Sequence, residues 1–198
     1  MSKDKLNVAI VYYSMTGNNS QMARWSEEAA KEEGVEVRLR KVAEEGTPNN
    51  PAWEAEAERS KDVIEATSDD LDWADLIVFH FPTRFGAPAG KMKAFIDGQG
   101  ALWAEGKLTD KVVTATTSAE NMHGGQEMAL MMFYTSMAHW GAIPVFPGYT
   151  DEVLFAAGGN PYGTSVTVSH DEPLSDAIEA AVKHQVKRAI GIAKKLSD

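Results

Sequence analysis

Apolar and polar positions along this chain switch repeatedly between two periods. Leu6–Tyr13 (LNVAIVYY) is a nearly continuous apolar run of strand length, the pattern of a strand covered on both faces. Ser20–Glu33 follows as a helix, closed by Gly34, where a left-handed residue ends helices. Val35–Val42 (VEVRLRKV) alternates apolar and polar, as a strand nearer a sheet edge does. Asp75–Phe81 and Lys111–Thr116 predict two further strands. Ala142–Phe146 predicts a fifth, which Pro144 pushes toward an edge. Helices are expected near Lys91–Asp97, over Gln126–Trp140, and over about Ser175–Leu196, where Ile178, Val182, Val186, Ile190 and Ala193 recur every three to four residues. Such βα alternation implies an α/β fold, a parallel sheet with helices on both faces. Glu44–Asp70, with Thr47-Pro48 and Asn50-Pro51, reads as an insertion holding one short helix. No repeat and no long linker divides the chain, so residues 1–198 are expected to form one domain.

Composition narrows the function. With 198 residues and 43% hydrophobic content the chain can bury a substantial core. Its formal net charge of −10 repels nucleic-acid backbone and anionic membrane, which argues against nucleic-acid partners. The absence of cysteine excludes disulfides, thiolate nucleophiles and thiolate metal sites. The N-terminus has a charged start before an apolar run too short to span a membrane and without a small-residue cleavage site. A cytoplasmic protein with no membrane insertion is the expectation.

The candidate chemistry lies in the loops. In an open doubly wound sheet, ligands bind beyond the carboxyl ends of the strands, at the point where strand order reverses. The first loop, Ser14-Met15-Thr16-Gly17-Asn18-Asn19-Ser20, is rich in hydroxyl and amide groups, uncharged, and opens directly into a helix. Backbone N–H groups, hydroxyls and the helix dipole there suit a phosphate; an ordinary capped turn would look the same. It lacks the Gly-Lys-Ser/Thr of a Walker loop and the GxGxxG of a dinucleotide fold. The second loop, Pro82-Thr83-Arg84-Phe85-Gly86, offers a constrained backbone and a flat apolar ring. The third, Ser118-Ala119-Glu120-Asn121-Met122-His123-Gly124, precedes a helix start. Together they suit a planar ring with a phosphate tail and not a metal centre; His80 and His123 lack metal-ligand spacing.

YYSMTG (Tyr12–Gly17), PTRFG (Pro82–Gly86), GALWAEGKL (Gly100–Leu108), GGQE (Gly124–Glu127), AHWG (Ala138–Gly141), PGYT (Pro147–Thr150) and GGNPYG (Gly158–Gly163) occur in one order across most of the chain. In this the chain resembles the WrbA-type NAD(P)H:quinone oxidoreductases of the flavodoxin-like superfamily. The resemblance implies a doubly wound five-stranded parallel sheet in the order 2-1-3-4-5 and an FMN cofactor. By the same resemblance Ser14–Ser20 hold the FMN phosphate, Thr83-Arg84-Phe85 lie against the isoalloxazine, and Ser118–Gly124 border its pyrimidine edge and ribityl chain. It also implies that His139 is a flavin-site histidine and that Trp103 and Thr16 line the substrate pocket. NAD(P)H and quinones are the implied substrates, a ping-pong exchange the implied mechanism, and a homotetramer whose subunits wall one another's sites the implied assembly. Three positions depart from the family pattern: Glu120 sits in a loop that is usually Thr/Gly-rich, Trp140 stands where many members have a second His after the matched one, and Thr16 stands where an aromatic is common.

Blander readings stand beside these. A one-electron carrier of the flavodoxin kind, or a regulatory binding partner, uses the same cofactor loops. Trp103 could be an interface aromatic and His139 a helix C-terminal dipole partner. Met128, Met131, Met132 and Met137 read as packing. The acidic clusters Glu54–Glu58 and Asp69–Asp72 read as solvated faces.

Overall fold

The computed structural model describes residues 5–169 and 172–197. Met1–Asp4, which hold most of the charged start noted above, lie outside the described residues, as do His170, Asp171 and Asp198. The principal strands are β1 (Asn7–Tyr12), β2 (Glu36–Lys41), β3 (Leu76–Arg84), β5 (Val112–Ala119) and β6 (Ile143–Pro144), hydrogen-bonded side by side as β2-β1-β3-β5-β6, all parallel. Counted in chain order these five follow the expected 2-1-3-4-5. Two short strands enlarge the sheet: β4 (Ala87–Pro88) folds back antiparallel on β3, and β7 (Ser165–Thr167) runs parallel to β5.

Apolar runs without polar alternation require cover on both faces, and the helices supply it. Val8, Ile10 and Tyr12 of β1 face α1 (Asn18–Glu32) and α8 (Asp176–Ser197), packing with Ala23, Ala30, Val186 and Ile190. Ala9 and Val11 face the opposite layer. There α6 (Gln126–Trp140) inserts Phe133 against Phe79 and Phe81 of β3, with ring centroids 5.0 and 5.3 Å apart. Phe133 is fully buried, so truncation to Ala costs about 3–5 kcal/mol. Shorter helices α4 (Gly90–Asp97), α5 (Gly100–Ala104) and α7 (Val153–Ala156) complete the connections. Among the described residues no helix is long and apolar enough to cross a membrane.

The expected fifth strand is split. Only Ile143 and Pro144 pair with β5, beside Val112 and Val113; the chain then leaves the sheet and returns as β7 beside Thr117–Ala119. Side chains bridge the break. The Ala115 N–H donates to Tyr134 Oη at 3.0 Å, and Gln185 Nε2 donates to Ala115 O at 2.9 Å and to Thr114 Oγ1 at 2.8 Å. Gln185 Oε1 in turn accepts from the Thr164 N–H at 2.8 Å. The Glu44–Asp70 insertion also holds more than expected: α2 (Pro51–Arg59), capped by Asn50, and the start of α3 (Ser68–Trp73).

Candidate cofactor site

Between β1 and α1 the chain must turn back over the sheet edge, and Gly17 makes this possible. It is the N-cap of α1 at φ 101°, a left-handed conformation that strains any L side chain. The turn is tied by its own hydroxyls: the Gly17 N–H donates to Ser14 Oγ at 3.1 Å, and Ser20 Oγ donates to Gly17 O at 2.9 Å. No acidic residue stands in the first turn of α1, so the helix end keeps its positive potential. Asn19 is buried and its Nδ2 donates to Ser118 Oγ at 2.9 Å, which pins the first loop to the third. Its Oδ1 has no partner among the described residues.

The second loop is a hairpin tip. β3 continues to Arg84, Phe85 adopts φ 49°, and β4 returns so that Thr83 pairs with Pro88 and Arg84 with Ala87. Thr117 Oγ1 donates to Phe81 O at 2.7 Å, so the 2.9 Å contact between Thr83 and Thr117 runs from the Thr83 hydroxyl. Phe85 is fully exposed at the tip, and Arg84, also exposed, reaches back to Met15 Sδ. The second and third loops touch at two glycines: a Cβ on Gly125, itself at φ 86°, would lie 2.7 Å from Gly86 Cα. Gln126 Nε2 donates to Asn121 O at 3.0 Å and steadies the third loop.

The three loops enclose a cleft of about 530 Å³, within the range of roughly 300–1,000 Å³ usual for cofactor pockets. Ser14, Met15, Thr16, Asn18 and Asn19 line it from the first loop, and Pro82, Thr83, Arg84, Phe85 and Gly86 from the second. Ser118, Ala119, Glu120, Asn121, His123 and Gly124 line it from the third. Gly125, the second of the two glycines before the helix start, lines it as well, and so does Val168, which was not anticipated. Val168 arrives through β7, which the sequence pattern did not reveal.

Five expected residues stand elsewhere. Gly17 and Ser20 shape the first turn but do not line the cleft, and Met122 points into a neighbouring groove beside Met128 and Met131. His139 and Trp103 line a third groove, with Gln99, Ser136 and Trp140, that shares no residue with the cleft. The reason is helix geometry: His139 follows Gln126 along α6, and at 1.5 Å rise per residue it lies about 20 Å from the cleft end of that helix. Trp103 stays with it, its Nε1 donating to His139 O at 2.9 Å.

Beneath the cleft, His80 is buried between Ser26 and Thr116, 3.0 Å from Ser26 Oγ through Nε2 and 2.6 Å from Thr116 Oγ1 through Nδ1. Ser26 Oγ also donates to Met22 O, and Thr116 Oγ1 to Met22 Sδ, so both hydroxyls and the imidazole belong to one buried network. Burial pushes the His80 pKa down to about 3. The acidic runs are not wholly solvated. Burial alone would raise the Asp70 pKa, but the Thr67 N–H and hydroxyl, Arg40 and Arg38 outweigh it and hold the carboxyl below its ordinary value. Glu56 is buried beside the first turn. Of the methionine run only Met137 is core; Met128, Met131 and Met132 are exposed.

Residues 6–150 match the profile of the NADPH-dependent FMN reductases. The chain belongs to this FMN reductase family. A Deinococcus radiodurans NAD(P)H dehydrogenase (quinone) is 48% identical over 195 residues, covering 96% of this chain and 97% of the relative. One from Geotalea daltonii is 38% identical over 207 residues, covering 96% and 98%. Among solved structures, a WrbA-like flavodoxin from Agrobacterium tumefaciens shares the fold with a TM-score of 0.69 at 21% identity, covering 96% of this chain and 99% of that one. The chemistry of the cleft fits this FMN reductase's cofactor. An uncharged turn at a helix N-terminus suits a phosphate, and the unpartnered Asn19 Oδ1 suits a ribityl hydroxyl.

Proposed function

We propose that this protein is an FMN-dependent NAD(P)H:quinone oxidoreductase whose cofactor occupies the cleft between the three loops. One observation carries the reading: the uncharged Ser14–Ser20 turn, at the N-terminus of α1, is joined through Asn19 and Ser118 to the loop that borders the same cleft. The phosphate takes backbone N–H groups and hydroxyls of the first turn. Thr83-Arg84-Phe85 flank the ring, and Ser118–Gly124 face its pyrimidine edge and the ribityl chain. Bound FMN supplies two-electron chemistry, accepting hydride from a reduced nicotinamide and passing both electrons to a quinone.

The protein's own part is to orient and to exclude. The Gly125–Gly86 contact and the Asn19–Ser118 bond fix the loops before the cofactor arrives, which lowers the ordering cost of binding. Thr16 and Phe85, exposed at the mouth, border the place that nicotinamide and quinone take in turn, the arrangement a ping-pong exchange needs. His139 and Trp103 act from a neighbouring subunit of a homotetramer, since their own chain holds them at the far end of α6. The exposed Met128, Met131, Tyr149 and Phe155 support such contacts. A cytoplasmic location accords with a cysteine-free, acidic chain.

The test is a visible spectrum of purified protein titrated with FMN, followed by stopped-flow reduction with NADH or NADPH and reoxidation by benzoquinone. A bound flavin spectrum, bleached by the nicotinamide and restored by the quinone, is expected. A protein that leaves flavin fluorescence unquenched refutes the reading.

A further inference from the structure

Behind the first turn, on the side away from the cleft, is a second cavity of about 170 Å³. Its walls come from the ends of β1 and β2, from α2 and from the segment leading into α2. Glu56 projects into it from α2 and is only 2% exposed, yet neither of its carboxyl oxygens has a hydrogen-bond partner among the described residues. Tyr12 Oη, equally buried at the end of β1, is also unpartnered. The carboxyl adjoins the turn: Glu56 Oε2 lies 3.3 Å from where a Cβ on Gly17 would stand.

Four donors around Glu56 are committed elsewhere. The Ser20 hydroxyl lies beside the carboxyl but donates to Gly17 O, and the Ser60 hydroxyl donates to the backbone carbonyl of Glu56 itself. Arg59 Nε is 3.8 Å away, beyond hydrogen-bond reach, while Arg24 and Lys41 donate to the carbonyls of Arg59 and Ser60. The remaining titratable groups lining this cavity are Tyr13, which donates to Glu44, and Glu65. An ionised Glu56 would have only the loose Arg59 ion pair and Tyr12 Oη, which makes no bond to it in this structure. We propose that Glu56 stands behind the FMN phosphate turn as a neutral carboxylic acid, and that loss of its proton weakens cofactor binding. The proposal rests on the assignment of FMN to the cleft.

The turn itself is closed by the Ser20 O–H donating to Gly17 O. Ionisation sets a negative charge behind a site for a dianion. Burial raises the Glu56 pKa; Ser20, Arg59, Arg24 and Lys41 oppose this without overcoming it. The switch thus lies above the ordinary glutamate range.

The experiment titrates FMN into wild-type and Glu56→Gln apoprotein by flavin fluorescence between pH 5 and 9. Toward the alkaline end, wild-type Kd should rise about tenfold relative to the variant, as expected for a unit charge acting on a dianion across a partly screened turn. The second ionisation of the phosphate, near pH ~6, is common to both proteins and cancels in the ratio. At pH 5 the two should agree within a factor of about two. Parallel curves overturn the role of Glu56 and leave the cofactor assignment standing; absence of quenching at every pH overturns the assignment, and the role with it. If Glu56→Gln does not fold, the Glu56 carboxyl is followed by ¹³C NMR in wild-type apo- and holoprotein. Linkage requires its titration to move upward on FMN binding, and an unmoved midpoint overturns the proposal.

Discussion

The two ends of α6 carry the family-like motifs, yet they inhabit different surroundings. At the N-terminal end, Gly125 is held against the second loop and Gln126 against the third, and Gly124 and Gly125 line the cleft. At the C-terminal end, His139 stands exposed in a shallow groove with Trp103, its carbonyl taken by the indole and its ring unconstrained by any hydrogen bond among those described. The first end is completed by its own chain. The second makes chemical sense only against another surface. Motifs adjacent on one helix are thus separated by its length, and a site read as one piece from the sequence becomes two half-sites about 20 Å apart.

The sharpest way to break the contrast is at the crowded end. Gly125→Val places a branched side chain at φ 86° and against Gly86 backbone, with a cost of about 2–4 kcal/mol. Thermal melting should drop accordingly, and FMN titration should show binding lost. A variant that melts and binds like wild type disproves the close approach of the two loops. Asn19→Ala comes next. It leaves Ser118 Oγ without its donor and should cost about 1–3 kcal/mol, with FMN affinity reduced roughly tenfold in fluorescence titration.

At the open end the expected signature is different in kind. His139→Ala should leave FMN affinity within a factor of about two, because one chain keeps it outside the cleft, while stopped-flow reduction by NADH slows several-fold at protein concentrations where the oligomer persists. Equal reduction rates remove His139 from the mechanism, and lost FMN affinity contradicts its placement. The smallest effect concerns the sheet below the cleft. His80 has a folded pKa depressed to about 3, so its contribution to stability is present above its unfolded value of 6.5 and is lost as pH falls toward 3. Between pH 7 and 5.5 the loss is about 1 kcal/mol, a fall in melting temperature of roughly 2–4 °C that His80→Asn should blunt.

How much of this was readable in advance follows from which residues carry a periodic signal. β1, β3 and β5 are buried on both faces and announce themselves as apolar runs, and α8 announces itself by spacing. The loops were readable because uncharged hydroxyl and amide groups between a strand and a helix have few other uses. β7 was not: three residues, one of them buried, leave no pattern. Pro144 signalled an edge but not that the strand ends there and resumes after a long excursion. Glu56 and Asp70 hid inside acidic runs, yet each had a local sign. Trp53, Glu56 and Ser60 fall on one helical face, and Thr67-x-x-Asp70 has the spacing of a capping box. The position of His139 relative to the cleft was legible from helix length alone.

The interrupted fifth strand has a further consequence, for how molecules of this protein behave at high concentration. An open stretch of backbone along a sheet is a rail on which a strand of another molecule can dock, the first step of amyloid-like association. Between β6 and β7 that rail is plugged by a phenol from one layer and a carboxamide from the other, which take the Ala115 amide groups a foreign strand would need. The interruption can therefore persist in the fold without inviting polymerisation at that gap.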